Sequence, residues 1–290
     1  MDFKLVGQPT ATSIPSTSGM VWHKNFYYTI GDDSPYLYKL DREFGIISRT
    51  EIYGGKDSLS GNRIPKSAKP DFEAMELVKN RELIIFGSGS KSPQRDQFLK
   101  IPLKDPLTVE CYSLSNFYTY LKELPIMRDS ELNIEAVAYH RDTLYIFNRR
   151  KNIIFTVPYK DFIHYLESAA DFPKVDAKAF ELPNINGVEA GFSGATVVGK
   201  QKILVITASV EDTDNAYDDG QILGSYLGVL PLADIIGKND IRWQLLETAT
   251  PLKVESVCVA DHKTAEGLEV TLSTDSDGGP SLFLKGSLNW

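Results

Sequence analysis

The chain has 290 residues, 42% hydrophobic and 24% charged, a globular composition that excludes disorder and fibres and leaves room for a large core. Its 31 Lys and Arg against 39 Asp and Glu give a net charge of -8, which argues against nucleic acid held on a general basic surface and favours a cationic ligand or metal. Only two cysteines occur, Cys111 and Cys258, with no Cys or His nearby at ligand spacing, so disulfide scaffolds and zinc ribbons drop out.

Along the chain, Met1 to Gly7 carries no apolar run of signal length, and no stretch reaches the roughly 18 apolar residues of a membrane span. The expected compartment is the cytoplasm, or the exterior if a leader has been trimmed, and a monomer is expected. Phe3-Lys4-Leu5-Val6 alternates as a strand does. A two-strand unit follows, Ser18-Gly19-Met20-Val21-Trp22 and Phe26-Tyr27-Tyr28-Thr29-Ile30, closed by Gly31-Asp32-Asp33-Ser34. The same grammar returns four times with a Glu at its start. Phe72-Glu73-Ala74-Met75 precedes Leu83-Ile84-Ile85-Phe86, and Ile134-Glu135-Ala136-Val137 precedes Leu144-Tyr145-Ile146-Phe147 with its turn Asn148-Arg149-Arg150. Val188-Glu189-Ala190-Gly191 precedes Ile203-Leu204-Val205-Ile206, and Val254-Glu255-Ser256-Val257 precedes Leu268-Glu269-Val270-Thr271-Leu272. Outer-strand candidates are 98–101, 153–157, 226–230 and 281–284. Short helices are expected at 116–124, capped by Ser115, and at 161–169, as surface insertions before the outermost strands.

Anchors at Ser18, Glu73, Glu135, Glu189 and Glu255 stand about 54 to 66 residues apart, and the two chain ends together make up one further period. The pattern predicts one all-β domain over 1–290, a β-propeller of five four-stranded blades in which the N-terminal strand closes the blade begun by Glu255. A six-bladed ring is the alternative, but no interval is long enough to hold two repeats.

In a propeller the first strand of each blade lines the axis, so its start shares a mouth with the turn after the second strand. Glu73, Glu135, Glu189 and Glu255 should therefore meet Asp32, Asp33, Ser88, Asn148, Arg149, Arg150, Glu211, Asp212, Asp275 and Asp277. Carboxylates converging on one axis must protonate, pair with cations such as Arg149, Arg150, Lys66 and Lys69, or hold a metal. The four Glu form the metal-ligand set, and oxygen donors suit Ca2+, with Mg2+ a weaker candidate. The ligand-binding set is Asp32, Glu73, Glu135, Arg149, Glu189, Glu255 and Asp275, and the catalytic candidates are Glu135, Glu189 and Arg149. A structural role stands beside this one: each Glu could simply tie neighbouring blades together.

Weaker signals resolve into structure. Asp275-Ser276-Asp277-Gly278-Gly279 opens like a calcium loop but lacks the later Glu, and reads as a turn. Gly191-Phe192-Ser193-Gly194 lacks the second glycine of a nucleophile elbow. His23, His140 and His262 follow first strands at the opposite mouth, and His164 falls on a helix, so none forms a metal pair. Cys258 reads as a buried thiol, and Trp22, Tyr27, Tyr28, Tyr139, Tyr145 and Phe147 as packing between blades.

Ser18-Gly19-Met20 with Ile30-Gly31-Asp32-Asp33-Ser34, the Glu-Ala-Val and Leu-Tyr-Ile-Phe-Asn-Arg pair of the third unit, and Leu272-Ser273-Thr274-Asp275-Ser276-Asp277-Gly278 together resemble bacterial phytase-like propellers of the "esterase-like activity of phytase" group. The resemblance implies a polar mouth that holds Ca2+ and hydrolyses a phosphate or carboxylic ester, with Asp32, Glu73, Glu135, Arg149, Glu189, Glu255 and Asp275 at the matching positions. Two functions follow. The first is a propeller that binds a small polar molecule or a peptide segment at this mouth, with or without Ca2+. The alternative is a metal-assisted hydrolase in which Arg149 stabilises developing negative charge and one carboxylate acts as base.

Overall fold

Strands with apolar side chains on both faces must bury both, and sheets stacked around an axis do so without leaving a long exposed edge. The computed structural model describes residues 1–54, 63–168, 170–213, 220–237, 240–264, 267–276 and 279–290, with the side chains of 261–264 left aside. Strand β1 (Asp2–Pro15) opens the chain. Blade one is β2 (Thr17–His23), β3 (Phe26–Gly31), β4 (Tyr36–Leu40) and β5 (Ile46–Glu51). Blade two is β6 (Phe72–Val78), β7 (Glu82–Gly87), β8 (Gln97–Pro102) and β9 (Glu110–Ser113), followed by α1 (Ser115–Glu123). Blade three is β10 (Ile134–His140), β11 (Thr143–Asn148), β12 (Ile153–Pro158) and β13 (Asp176–Ala179), with α2 (Tyr159–Ser168) between the last two. A hairpin of β14 (Asn184–Ile185) and β15 (Val188–Glu189) leads into blade four: β16 (Gly191–Val198), β17 (Ile203–Asp212), β18 (Gln221–Pro231) and β19 (Arg242–Leu245). Blade five is β20 (Lys253–Thr264), β21 (Gly267–Asp275), β22 (Pro280–Asn289) and β1.

The inner strands β2, β6, β10, β16 and β20 neighbour one another in that order, and β20 returns to β2. The protein is a five-bladed all-β propeller, with five rather than six four-stranded sheets among the described residues. Apolar side chains gather between blades instead of at one centre: Phe72 and Met75 sit between blades one and two, Phe147 and Phe192 between three and four, Tyr27 and Phe283 between five and one. No helix among the described residues is long and apolar enough to cross a membrane.

Blade five closes the ring as the repeat arithmetic predicts. Phe3 pairs with Leu288, and a Cβ added to Gly286 would lie 2.3 Å from the Phe3 ring, so glycine there admits the aromatic. The amide of Gln244 on β19 both accepts the Phe3 N–H and donates to the Phe3 carbonyl, each at 2.8 Å, which ties β1 to blade four as well.

Two expectations about the outer parts need correction. The runs 98–101, 153–157, 226–230 and 281–284 are third strands, and the outermost strands are β9, β13, β19 and β1. Helix α1 follows the outermost strand of blade two instead of preceding it, and Ser115 begins the helix without capping it because its hydroxyl donates to Asp96 Oδ2 at 2.8 Å. Both helices wedge between blades two and three, where Phe117, Leu121 and Phe162 are buried.

Candidate functional site

Near the start of every inner strand the pairing with the second strand skips one residue, a β-bulge that re-aims a side chain. The skipped residues are Ser18, Glu73, Glu135, Ser193 and Glu255. In blades one and four the hydroxyls reach the next blade: Ser18 donates to the Phe72 carbonyl at 2.5 Å and Ser193 to the Val254 carbonyl at 2.6 Å. In blades two, three and five the longer carboxyls meet instead. Glu189 is not among them. The Val-Glu-Ala pattern around it belongs to the hairpin before blade four, where Glu189 is exposed and its carboxylate accepts the Leu182 N–H at 3.1 Å. Ser193 holds the equivalent place, and with it the repeat spacing tightens to about 55 to 62 residues.

Arg149, just after the second strand of blade three, joins three blades. Its guanidinium lies 3.6 Å from Glu135, 3.7 Å from Glu255 and 3.1 Å from Glu211. Gly191 makes room for it, since an added Cβ would come within 2.4 Å of Arg149 Cγ. Lys253 flanks the same group at 3.8 Å from Glu211, 3.7 Å from Glu255 and 3.5 Å from Asp275. Asn133 donates to Glu135 at 2.6 Å.

Blades one and two supply the other half. Lys69 bonds Asp32 and lies 2.7 Å from Asp71, whose second oxygen accepts from Arg95 and from Ser88, each at 2.5 Å. Arg63 holds Asp33 at 2.5 Å. Oxygens of Asp32, Asp71 and Glu73 lie within 4.8 Å of one another. Glu73 makes no hydrogen bond or ion pair with a described residue. The side chains of Asp32, Lys69, Arg149, Lys253 and Asp275 keep 11% to 14% exposure, so the cluster is reached from solvent. Below it the axis narrows to about 10 Å3, lined by Ser18, Glu135, Gly194 and Ser256 among others, about one water.

Among the described residues, eight carboxyls (Asp32, Asp33, Asp71, Glu73, Glu135, Glu211, Glu255 and Asp275) thus face five cations (Arg63, Lys69, Arg95, Arg149 and Lys253), an excess of three negative charges when all are ionised. Burial, with neighbouring carboxyls adding, pushes Asp32 up to about 7 and Glu255 up to about 8, although Lys69, Lys253 and Arg149 pull the other way. Burial and then Asp71 and Glu135 hold Glu73 well above the ordinary carboxyl range, and Asp33 and Glu135 are raised by burial too. For Lys69, Arg149 and Lys253 burial opposes charge, but the surrounding carboxylates overcome it and keep all three firmly cationic. Buried oxygens of Asp32 (Oδ1), Asp33 (Oδ1) and Glu255 (Oε2) have no hydrogen-bond partner among the described residues.

The structure therefore brings together Asp32, Glu73, Glu135, Arg149, Glu255 and Asp275 of the predicted set and leaves out Glu189. Arg150 points away toward Glu131, Asp212 and Lys66 are exposed, and Asn148 spends its amide on the Asn133 N–H and the carbonyls of Glu131 and Arg150. Asp277 and Gly278 lie outside the described residues, as does the side chain of His262. Cys258 is buried, and that burial pushes its thiol well up. Asp71 and Lys253 were missed by sequence reasoning, yet a signal was there: they stand two residues before Glu73 and Glu255, as Asn133 stands before Glu135 and Gly191 before Ser193, so strand alternation turns them to the same mouth.

Residues 13–288 match the profile of the family described as "Family of unknown function (DUF6929)". The chain belongs to this family. No curated protein matches the chain. Among solved structures, glutaminyl cyclase of Myxococcus xanthus is similar at 10% identity and a TM-score of 0.51, covering 98% of this chain and 95% of that one. The major allergen Mala s 1 of Malassezia sympodialis is similar at 10% identity and a TM-score of 0.50, covering 92% and 91%. At such identities the likeness concerns the fold alone.

Proposed function

We propose that this member of the family is a binding propeller whose carboxyl-rich mouth takes a small cation, Ca2+ being the best fit, together with the polar group of a small molecule or peptide segment. The observation that carries the reading is the set of unpartnered buried oxygens on Asp32, Asp33 and Glu255, in a cluster with three carboxyls beyond its cations. A buried acceptor without a donor costs about 1–3 kcal/mol, so a ligand bringing positive charge or donors gains what the protein lacks. The narrow axis favours an ion over a bulky molecule. Asp32, Asp71 and Glu73 are the oxygens that would hold it, and Lys69, now bonded to the first two, is the resident charge that the ion would displace. With Ca2+ taking six to eight oxygens, the remaining ligands come from water or the bound molecule. The predicted metal set is revised accordingly, since Glu135 and Glu255 share Arg149 and Glu189 lies elsewhere.

Thermal melting with and without millimolar Ca2+, against EDTA, tests this. Ca2+ at 100 times its Kd adds about 2.7 kcal/mol, a rise of roughly 5–10 °C in Tm for a chain of this size. Glu73→Gln should abolish the rise and Lys69→Met should enlarge it. No calcium-dependent shift in either the natural chain or the Lys69→Met variant would sink the reading.

A second reading, hydrolysis of phosphate or carboxylic esters, draws support from Asp32 and Glu255, whose carboxyls titrate near neutrality as a general acid or base should. Arg149 would meet developing negative charge. A panel of chromogenic phosphate and acyl esters checks it: turnover that disappears in Glu255→Gln is expected, and turnover unchanged by that substitution speaks against it.

A further inference from the structure

The mouth opposite the carboxyl cluster is built on a different principle. Among the described residues its rim consists of the turns joining first and second strands in blades one to four. In blades one, two and three the central pairs are Lys24-Asn25, Lys79-Asn80 and Arg141-Asp142, and every one of these residues has positive φ, at 48° and 69°, 52° and 54°, 46° and 71°. Two successive positive φ values make a type I′ turn, whose first position favours Gly, which has no Cβ to crowd the backbone, or Asn and Asp, whose short polar side chains hydrogen-bond locally and offset that crowding. Three times the chain sets Lys or Arg there and accepts the strain. Blade four adds Lys200 and Lys202, the latter at a φ of 55°. All five basic residues are exposed.

Within the rim opens a cavity of about 310 Å3, lined by Trp22, Glu76, Lys79, Tyr139, His140 and Arg141 among others. That volume lies at the lower end of small-molecule sites. Glu76 is buried there, its two oxygens accepting the N–H groups of Leu77 at 2.6 Å and Tyr139 at 3.1 Å. Among the described residues of these four turns the one acid is Asp142, 4.0 Å from Lys79, against five cations. His140 registers the field: burial first, then Arg141 and Lys202, hold its imidazole below the usual value.

We infer that this mouth is a binding site for a small organic phosphate, its anionic group held by Lys79 and Arg141 and its ring lying against Trp22 and Tyr139. The site is independent of the carboxyl mouth, and its chemistry is opposite in sign.

The turn geometry supplies a clean test. Asn offsets the strain of positive φ by local hydrogen bonds that Lys and Arg do not make, so Lys79→Asn with Arg141→Asn removes the cations and leaves Tm unchanged or higher. Calorimetric titration in about 20 mM salt with AMP, pyrophosphate and adenosine reads the binding. AMP is expected to bind, adenosine to bind about tenfold more weakly or worse, and the double variant to lose about tenfold in AMP affinity. Binding should also weaken as salt rises to about 200 mM. No heat from AMP and pyrophosphate at about 5 mM overturns the inference, as does a double variant that binds AMP like the natural chain. Pyrophosphate binding without AMP binding would overturn the ring contact.

Discussion

Arg149 faces carboxylates from three blades, and nothing apolar could replace it without stranding them. Arg149→Met leaves Glu135, Glu211 and Glu255 short of their shared cation, and the loss of one partner from a buried charge group costs about 3–5 kcal/mol. Glu255→Gln added to that variant should recover part of the loss. Urea unfolding measures both, and a single variant within about 1 kcal/mol of the natural chain would mean that the guanidinium is not integral to the cluster. The sequence makes Arg149 and three of the four Glu legible, because an apolar residue followed by Glu and then Ala or Ser marks an inner strand. It misplaces the fourth because Val188-Glu189-Ala190 repeats that pattern by coincidence in a hairpin, while the strand starts at Gly191. Lys69 is foreseen as a cation for these carboxylates and does pair with Asp32 and Asp71, whereas Arg63 and Arg95 lie in connections whose path over the mouth no local pattern reveals.

Among the elements, β1 decides whether the ring is closed. Phe3 is 5% exposed and fills the space left by Gly286, so Phe3→Ala should cost about 3–5 kcal/mol and lower Tm by roughly 6–20 °C. A shift of only a degree or two, by calorimetry, would show that blade five holds without this anchor. The closure is legible in advance because Phe3-Lys4-Leu5-Val6 alternates and the repeat count leaves one strand missing. The outermost strands of blades two to four are not. Glu110-Cys111-Tyr112-Ser113, Asp176-Ala177-Lys178-Ala179 and Arg242-Trp243-Gln244-Leu245 are four residues long and only partly covered, so they need no apolar run and show none.

For the whole molecule, buried carboxyls set the response to pH. Burial pushes Glu76 up to about 8, as it does Glu255, with Asp32 at about 7, whereas the unfolded chain titrates near 4. Between those values the folded protein binds protons that the unfolded chain has released. Stability is therefore fullest below about pH 4.5 as far as these groups are concerned, and falls as pH rises toward 8, by about 1.4 kcal/mol per pH unit for each proton retained. Urea midpoints at pH 5, 6.5 and 8 should fall in that order, and Glu76→Gln should flatten the upper part of the curve; midpoints that rise with pH would contradict the assignment. The ring closure also has a consequence in time. On the ribosome β1 emerges before all four other blades and well ahead of its partner β22, so at ordinary synthesis rates β1 waits on the order of tens of seconds with its backbone unpaired. Its sequence suits the wait: Gly7-Gln8-Pro9-Thr10-Ala11-Thr12-Ser13 is polar, interrupted by proline and largely exposed even when folded, a poor template for chance pairing with another nascent chain.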